Sequence, residues 1–99
     1  MRQRARTDAN QADIVKHLRG CGVTVFPTHQ LGRGFPDIVC GFGGMTYLFE
    51  IKDPAKPPSK RRLTDDEREF HANWRGQIAV IETADDALVL MGMSPHIIN

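Results

Sequence analysis

The sequence predicts an α/β fold in which helices cover both faces of a small sheet. Two runs rich in strand formers, 37–42 and 45–52, flank the dipeptide Gly43-Gly44, which suits a two-residue hairpin turn. Apolar residues occupy both faces of these strands, because Ile38 and its neighbour Val39 point in opposite directions. A sheet with two apolar faces needs helices on both sides.

The first helix and the first strand precede this hairpin. Asp8 can cap a helix that runs to about Arg19, and Gly20 or Gly22 can end it. Residues 23–28 then form the first strand. The hairpin supplies the second and third strands, so the chain starts with the order helix, strand, strand, strand.

A second helix and a fourth strand follow the hairpin. Prolines exclude a helix over 53–62, whereas Thr64 can start one in which Phe70 and Trp74 face inward and which Gly76 ends. The apolar run that follows this glycine predicts the last strand.

The last strand, 77–82, is apolar enough to be central in the sheet. Thr83 can cap a short helix through Met91. We expect 1–7 to be a loose basic arm and 94–99 a loose tail. At 99 residues and 40% hydrophobic composition, the whole chain is expected to form one domain, with a modest core.

The predicted hairpin brings two acidic residues together. Counting outward from the turn places Asp37 opposite Glu50, and side-chain alternation puts Lys52 on the same face as Glu50. Facing carboxylates destabilise a sheet unless a cation lies between them, and Mg²⁺ or Mn²⁺ prefers such hard oxygen ligands. An isolated acid-x-Lys on a strand is more often a surface ion pair. The register and the preceding Pro36 favour a metal site here.

Several motifs, in this order and spacing, resemble the VRR-NUC branch of the PD-(D/E)xK nuclease superfamily. They are Gly34-Phe35-Pro36-Asp37, Glu50-Ile51-Lys52, the basic Pro/Ser stretch through Lys60, and Leu63-Thr64 ahead of Phe70-His71. The resemblance extends from about Asp8 to Leu90 and implies a restriction-endonuclease-like αβββαβ core with a central mixed sheet flanked by helices.

The same resemblance implies cleavage of phosphodiester bonds by a metal-activated water, with Mg²⁺ or Mn²⁺ as cofactor. Asp37 and Glu50 then correspond to the metal ligands and Lys52 to the catalytic lysine. The main-chain carbonyl of Ile51 corresponds to a further metal ligand.

The sequence departs from this family at two positions. The first helix usually carries a metal-binding glutamate, and Gln11 stands at the matching position, at helical spacing from the inward-facing Ile14. Gln11 could reach the site or merely border the core, and Asp8 and Asp13 are the alternative ligands. Glu67 stands where the family often has glutamine.

Two further residues of the second helix have alternative roles. Glu67 could help the site, or it could complete a capping box with Thr64. His71 lies beside Phe70 on the same predicted helix, and we expect a partly buried structural histidine there.

Binding to DNA would depend on local clusters of cations, because the formal net charge is only +1. Arg33 lies in a glycine-spaced loop that we expect to contact substrate. Other cations occupy an N-terminal arm and the loop after the third strand, where they could bind phosphates or simply be solvated. These are Arg2, Arg4 and Arg6 in the arm, and Lys56, Lys60, Arg61 and Arg62 in the loop.

The sequence therefore predicts a Mg²⁺-dependent, structure-specific DNA endonuclease. Small members of the family resemble Holliday-junction resolvases, which implies a homodimer acting on branched DNA. The alternatives are a flap or nicking nuclease, or a nucleic-acid-binding module of nuclease fold without turnover. Cys21 and Cys40 are too few for a disulfide framework, and no long apolar stretch suggests a membrane. We expect a cytoplasmic protein, in a bacterium or a phage-infected host.

Overall fold

The computed structural model describes residues 8–93, so the predicted arm and tail lie outside the described residues. Within this range the chain forms one mixed sheet and three α-helices, which confirms the α/β class. The strands are β1 (Thr24–Pro27), β2 (Ile38–Phe42), β3 (Met45–Ile51) and β4 (Gln77–Ile81). The helices are α1 (Gln11–Gly20), α2 (Asp65–Asn73) and α3 (Ala84–Leu90), with short 3₁₀ turns at His29–Leu31 and Pro58–Lys60.

The strands lie in the order β1-β2-β3-β4. The first three are antiparallel, and β4 is parallel to β3. The predicted hairpin is confirmed, because Ile38 pairs with Phe49 in the expected register. Gly43 and Gly44 have φ values of 61° and 78°, which a two-residue primed turn requires and which glycine adopts without steric cost.

Helix α1 begins later than predicted. It starts at Gln11 with Asn10 at the N-cap position, so the prediction that Asp8 caps it is wrong. The Asp8 carboxylate instead pairs with Lys56 Nζ at 2.6 Å. Asn10 Nδ2 donates to the carbonyls of Lys52 and Glu82, at 3.1 and 3.0 Å. The start of α1 is therefore attached to the chain where β3 and β4 end.

The core lies between one face of the sheet and the helices α1 and α3, which contact each other. Thr83 caps α3 through a capping box with Asp86, as its sequence position predicts, and α3 ends one residue before Met91. The fully or nearly buried apolar side chains of this layer include Leu18, Ile38, Phe49, Ile51, Ile81 and Leu88.

Strand β4 is not central as predicted, since within 8–93 it pairs only with β3 and lies at the edge of the sheet. Its apolar run was misleading because only one face of the strand is well covered. Ile81 is 1% exposed, whereas its neighbour Val80 is 42% exposed. The second face of the sheet is thus less completely covered than the face beneath α1 and α3.

The C-terminal part of α2 also differs from the prediction. Thr64 and Glu67 form the expected capping box, but the helix ends at Asn73. Trp74 is 41% exposed and Phe70 only partly buried, so neither enters the core. The reason is that these rings stack on each other at the surface of α2. No helix within the described range is long and apolar enough to span a membrane.

Candidate active site

Asp37 and Glu50 face each other at the start of β2. The Asp37 N–H donates to the Phe49 carbonyl at 3.0 Å, and Asp37 Oδ2 accepts the Ile51 N–H at 2.7 Å. Asp37 therefore binds the residues on both sides of Glu50, and the two carboxyl groups are close enough for each to shift the pKa of the other. The hairpin register thus brings together the acids that the sequence predicts as a pair.

The Glu50 carboxyl group is buried, with 3% of the residue exposed. Burial, followed by the negative charges of Asp37 and Glu67, raises the pKa of Glu50 to about 9. Burial also raises the pKa of Asp37, although the Ile51 N–H opposes the shift. Among residues 8–93, Glu50 Oε1 has no hydrogen-bond partner. This oxygen of the acid pair is therefore available to a further partner.

Lys52 lies beside this pair and is 8% exposed. Its Nζ is 2.9 Å from Glu67 Oε1 and 3.5 Å from Glu50 Oε2. Burial alone would lower the pKa of Lys52, but the hydrogen bond and charge of Glu67, together with Glu50, outweigh it and raise the pKa. Lys52 is thus held as a cation between two carboxyl groups from different elements.

Glu67 both contacts the candidate site and completes the capping box with Thr64, the two roles between which the sequence does not decide. Its Oε1 accepts both the Thr64 N–H and the Lys52 ammonium, each at 2.9 Å. Burial would raise the pKa of Glu67, whereas these two donors lower it, and the net shift is downward. Glu67 therefore joins the start of α2 to the end of β3 and remains ionised.

Gln11 is buried at the start of α1 and, within the described residues, forms no hydrogen bond with the acid pair. Its Nε2 lies 3.3 Å from His29 Nδ1, and within the described part of the chain its Oε1 has no partner. The alternative ligands fit a metal site with Asp37 and Glu50 no better, since Asp13 is exposed and Asp8 is paired with Lys56. His29 is a neighbour of Gln11 that the sequence analysis did not single out.

Asn10 and His71 complete the surroundings of Lys52. Asn10 binds the Lys52 carbonyl, a contact across 42 residues of sequence for which no local pattern exists. His71 is partly buried, as predicted, and burial, more than neighbouring charges, lowers its pKa. Its Nε2 has no hydrogen-bond partner in the described structure. Asn10 therefore contacts the main chain of Lys52, whereas His71 lies near enough to the Lys52–Glu67 pair for both charges to act on its pKa.

The donor set suits a hard divalent cation that keeps several water ligands. No three His, Cys, Asp or Glu side chains between residues 8 and 93 are arranged to hold an ion. Mg²⁺, however, is commonly held by one or two carboxylates together with water and substrate phosphate. Because the N–H and C=O of one strand residue point to the same side, the Ile51 carbonyl also points toward Asp37. Asp37, Glu50 and this carbonyl therefore fit the predicted ligands.

The cations predicted to bind phosphate differ in whether an acidic residue already pairs with them. Lys56 pairs with Asp8, and Arg61 lies 3.3 Å from Glu82. Lys60 and Arg62 are exposed and form no ion pair with any described residue. Arg33 is also exposed and has a φ of 56°, which is uncommon outside glycine. Three of the predicted cations are thus available to bind phosphate, namely Lys60, Arg62 and Arg33.

Comparisons of the chain with protein-family models, with curated proteins and with solved structures found no match. The resemblance to VRR-NUC nucleases stays a prediction from the motifs. A fold of this size can carry many activities, so any functional assignment depends on the site itself.

Proposed function

We propose that this protein is a Mg²⁺- or Mn²⁺-dependent endonuclease that hydrolyses phosphodiester bonds in DNA. The observation that carries the proposal is the buried carboxyl group of Glu50 facing the partly buried carboxyl group of Asp37, with the Lys52 ammonium beside them. A structural role explains this cluster poorly, because one ammonium, which also pairs with Glu67, is the described cation for three neighbouring carboxyl groups, and placing acids together away from water costs stability. Metal-dependent phosphodiester hydrolysis uses this combination of groups.

Each residue then has a definite role. Asp37, Glu50 and the Ile51 carbonyl would hold the ion, and Glu50 Oε1, which has no partner in the described structure, is available for it. A bound divalent cation lowers the pKa of a water and stabilises charge on the leaving oxygen. Lys52 orients the attacking water and neutralises negative charge that develops on the phosphate. Glu67 fixes the position of the Lys52 ammonium.

We further propose that the enzyme recognises DNA structure rather than sequence. The available cations would contact phosphates, which carry no sequence information. The resemblance to small VRR-NUC nucleases suggests a Holliday-junction-resolvase-like homodimer, with two sites around a two-fold axis. A flap or nicking nuclease would use the same residues on a different DNA structure.

A nucleic-acid-binding module without turnover is the second candidate. The observation that favours it is Gln11, a neutral amide bonded to His29 where the family carries a carboxylate. This module would bind DNA through the same cations but would release no cleaved product, whatever the metal.

A cleavage assay separates these functions. Purified protein is incubated with junction, flap, bubble, single-stranded and linear duplex DNA in Mg²⁺, Mn²⁺ or EDTA, with light scattering to measure the oligomeric state. We expect metal-dependent cleavage of a branched substrate, which Glu50→Gln and Lys52→Ala abolish. Lys16→Ala, an exposed lysine on α1, is the matched control and should cleave normally. Undiminished cleavage by Glu50→Gln or Lys52→Ala would refute the assignment, and binding without cleavage in any metal would favour the module.

A further inference from the structure

A cavity of about 410 Å³ lies along one face of α2, next to Arg33 of the loop that leads to Asp37. Its volume is within the range of typical small-ligand pockets, roughly 300–1,000 Å³. The wall combines aromatic rings with a cation, an amide and two carboxylates, which are Arg33, Asp66, Glu69, Phe70, Asn73 and Trp74. None of these residues except Arg33 has a role in the proposed hydrolysis.

The aromatic part of the cavity is a stacked pair with an exposed face. The rings of Phe70 and Trp74 are 5.4 Å apart and nearly parallel, at 16°. Phe35 packs edge-on against Phe70, with centroids 5.2 Å apart, and supports the stack from behind. Trp74 is 41% exposed, with Gly76 lying against one part of its indole, so the remaining exposed part of the ring is accessible to a further planar group. Such a platform is how proteins bind unpaired bases with little sequence preference.

The polar part of the cavity favours a base over a phosphate. Asp66 and Glu69 are acidic and would repel the DNA backbone, but their oxygens can accept hydrogen bonds from exocyclic amino groups. The Asn73 amide can donate and accept, as the edges of all bases require. Arg33 supplies the one cation of the wall and can face the phosphate that flanks a bound base.

The cavity is held in a fixed relation to the candidate active site. Phe70 follows Glu67 on α2 at i+3, and Trp74 is the C-cap residue at i+7, so the aromatic part of the cavity lies on the order of 5–10 Å along the helix axis from Glu67. The loop beside it lies directly against the helix. A Cβ on Gly34 would lie only 2.3 Å from the Asp66 carbonyl oxygen, which means that loop and helix are in direct backbone contact.

From these observations we propose that the cavity binds one unpaired nucleobase of the DNA substrate, a few nucleotides from the phosphate that is cleaved. The inference rests on the proposed function and narrows it, because it makes the preferred substrate a DNA with an unpaired base near the cut. Fully paired duplex would leave the cavity empty and would bind less tightly.

Trp74 is the only tryptophan of the chain, so its fluorescence reports directly on the cavity. The parent protein is titrated in EDTA, where no metal-dependent cleavage can occur, with a single-stranded oligonucleotide, an abasic oligonucleotide of equal length, and inorganic polyphosphate. We expect saturable quenching by the base-containing strand and little by the other two. A duplex with one unpaired base should quench more than its fully paired counterpart.

Two variants test the wall. Asn73→Ala and Phe70→Leu should each raise the Kd of the single strand, about tenfold for the loss of stacking support at Phe70. Arg68→Ala is the matched control, since Arg68 lies on the same helix, pairs with Asp65 outside the cavity and should bind as the parent does. Circular dichroism confirms that each variant is folded. The comparison of base-containing and abasic strands uses the intact cavity, so it tests the proposal even if a variant fails to fold.

The outcomes also separate this inference from the proposed function. The base site is overturned if the abasic strand and polyphosphate quench the fluorescence as much as the base-containing strand does, or if no probe quenches it. Either result would stand even if metal-dependent cleavage is found. Base-dependent quenching supports the site even if no metal produces cleavage. Unchanged affinity in both wall variants would mean that the base contacts Trp74 from outside the cavity, which also overturns the proposal.

Discussion

The ammonium of Lys52 donates to the carboxylate of Glu67 at 2.9 Å, and this bond joins the third strand to the second helix. Glu67 is simultaneously part of the capping box of α2, so one oxygen serves both the helix end and the lysine. The position of the proposed catalytic lysine is thereby coupled to the folding of α2, which also carries the aromatic cavity.

This coupling predicts different effects for two substitutions of Glu67. Glu67→Gln keeps an oxygen acceptor and a residue compatible with the capping box but removes the charge that faces Lys52, so it should lower the free energy of unfolding less than Glu67→Ala does. Glu67→Ala removes the acceptor for both donors and should cost about 1–2 kcal/mol. Urea denaturation of the three proteins measures the difference. Equal stability of the two variants would show that the shared oxygen contributes nothing.

The raised pKa of Glu50 predicts how stability depends on pH. The unfolded carboxyl group titrates near 4.5 and the folded one near 9, so between these values the folded state retains a proton that the unfolded state has lost. Stability is therefore lost as pH rises across this window. Without metal, the melting temperature should fall from pH 5 to pH 8.5 more steeply in the parent than in Glu50→Gln.

Asp65→Asn is the control for this measurement, because the Asp65 side chain is 96% exposed. Its pH dependence should follow that of the parent. If the curves of the parent and Glu50→Gln were parallel in EDTA, the Glu50 carboxyl group would not be the buried, protonated acid described above.

The ion pairs of the basic loop predict unequal roles in binding DNA. Neutralising Lys60 and Arg62 together should reduce the slope of log affinity against log salt by about 2, since each phosphate contact contributes roughly 0.7–0.9. Neutralising Lys56 and Arg61 should change it less, because Asp8 and Glu82 already compensate these cations. Binding of a labelled junction at several salt concentrations provides both slopes. A larger change from Lys56 and Arg61 would reverse this ranking.

Gly34 provides a test of the backbone contact between the loop and α2. Gly34→Ala combines a φ of 79° with a Cβ placed 2.3 Å from Asp66 O, so it should lower stability markedly or detach the loop. Gly43→Ala is the matched control, since its φ is 61° but its Cβ would meet no atom within 4 Å. Its cost should be limited to about 1–2 kcal/mol of backbone strain. Comparable losses in the two variants would argue against the close contact.

The hairpin and the acid pair could be predicted from sequence because local rules determine them. A two-residue glycine turn sets the register, and a fixed register decides which side chains face each other. The parity of the strand then places Lys52 with Glu50. No distant part of the chain enters this reasoning.

The remaining features depend on distant contacts that no local pattern encodes. Asn10 binds the Glu82 carbonyl across 72 residues, and this bond places α1 beside the ends of β3 and β4. The apolar run of β4 is compatible with either a central or an edge strand, and only packing decides between them. Helical spacing predicts that Trp74 lies on an apolar stripe, but it does not reveal whether other residues cover that stripe, and Trp74 is exposed.

Gln11 stands where VRR-NUC nucleases, which the sequence resembles, usually carry a metal-binding glutamate. Gln11 is 5% exposed at the start of α1, and its neighbour Asn10 is bound to the Lys52 carbonyl. If α1 contributes a ligand through this position, Gln11→Glu adds a carboxylate and strengthens Mg²⁺ binding. Cleavage should then rise most at low metal concentration and little at saturation, because occupancy changes rather than the attacking water.

The competing outcome has a distinct signature. If Gln11 only borders the core, the new carboxylate is buried beside Ile14 with His29 as its nearest polar neighbour, and stability falls without a gain in activity. Metal titrations of both proteins, followed by cleavage rate and by melting temperature, separate the two cases, since a tighter ligand raises the melting temperature at lower Mg²⁺. Coincident titration curves would exclude position 11 as a ligand. Asp8, once freed from Lys56, would then be a better candidate than the exposed Asp13, because its carboxylate already lies close to the segment that follows Lys52.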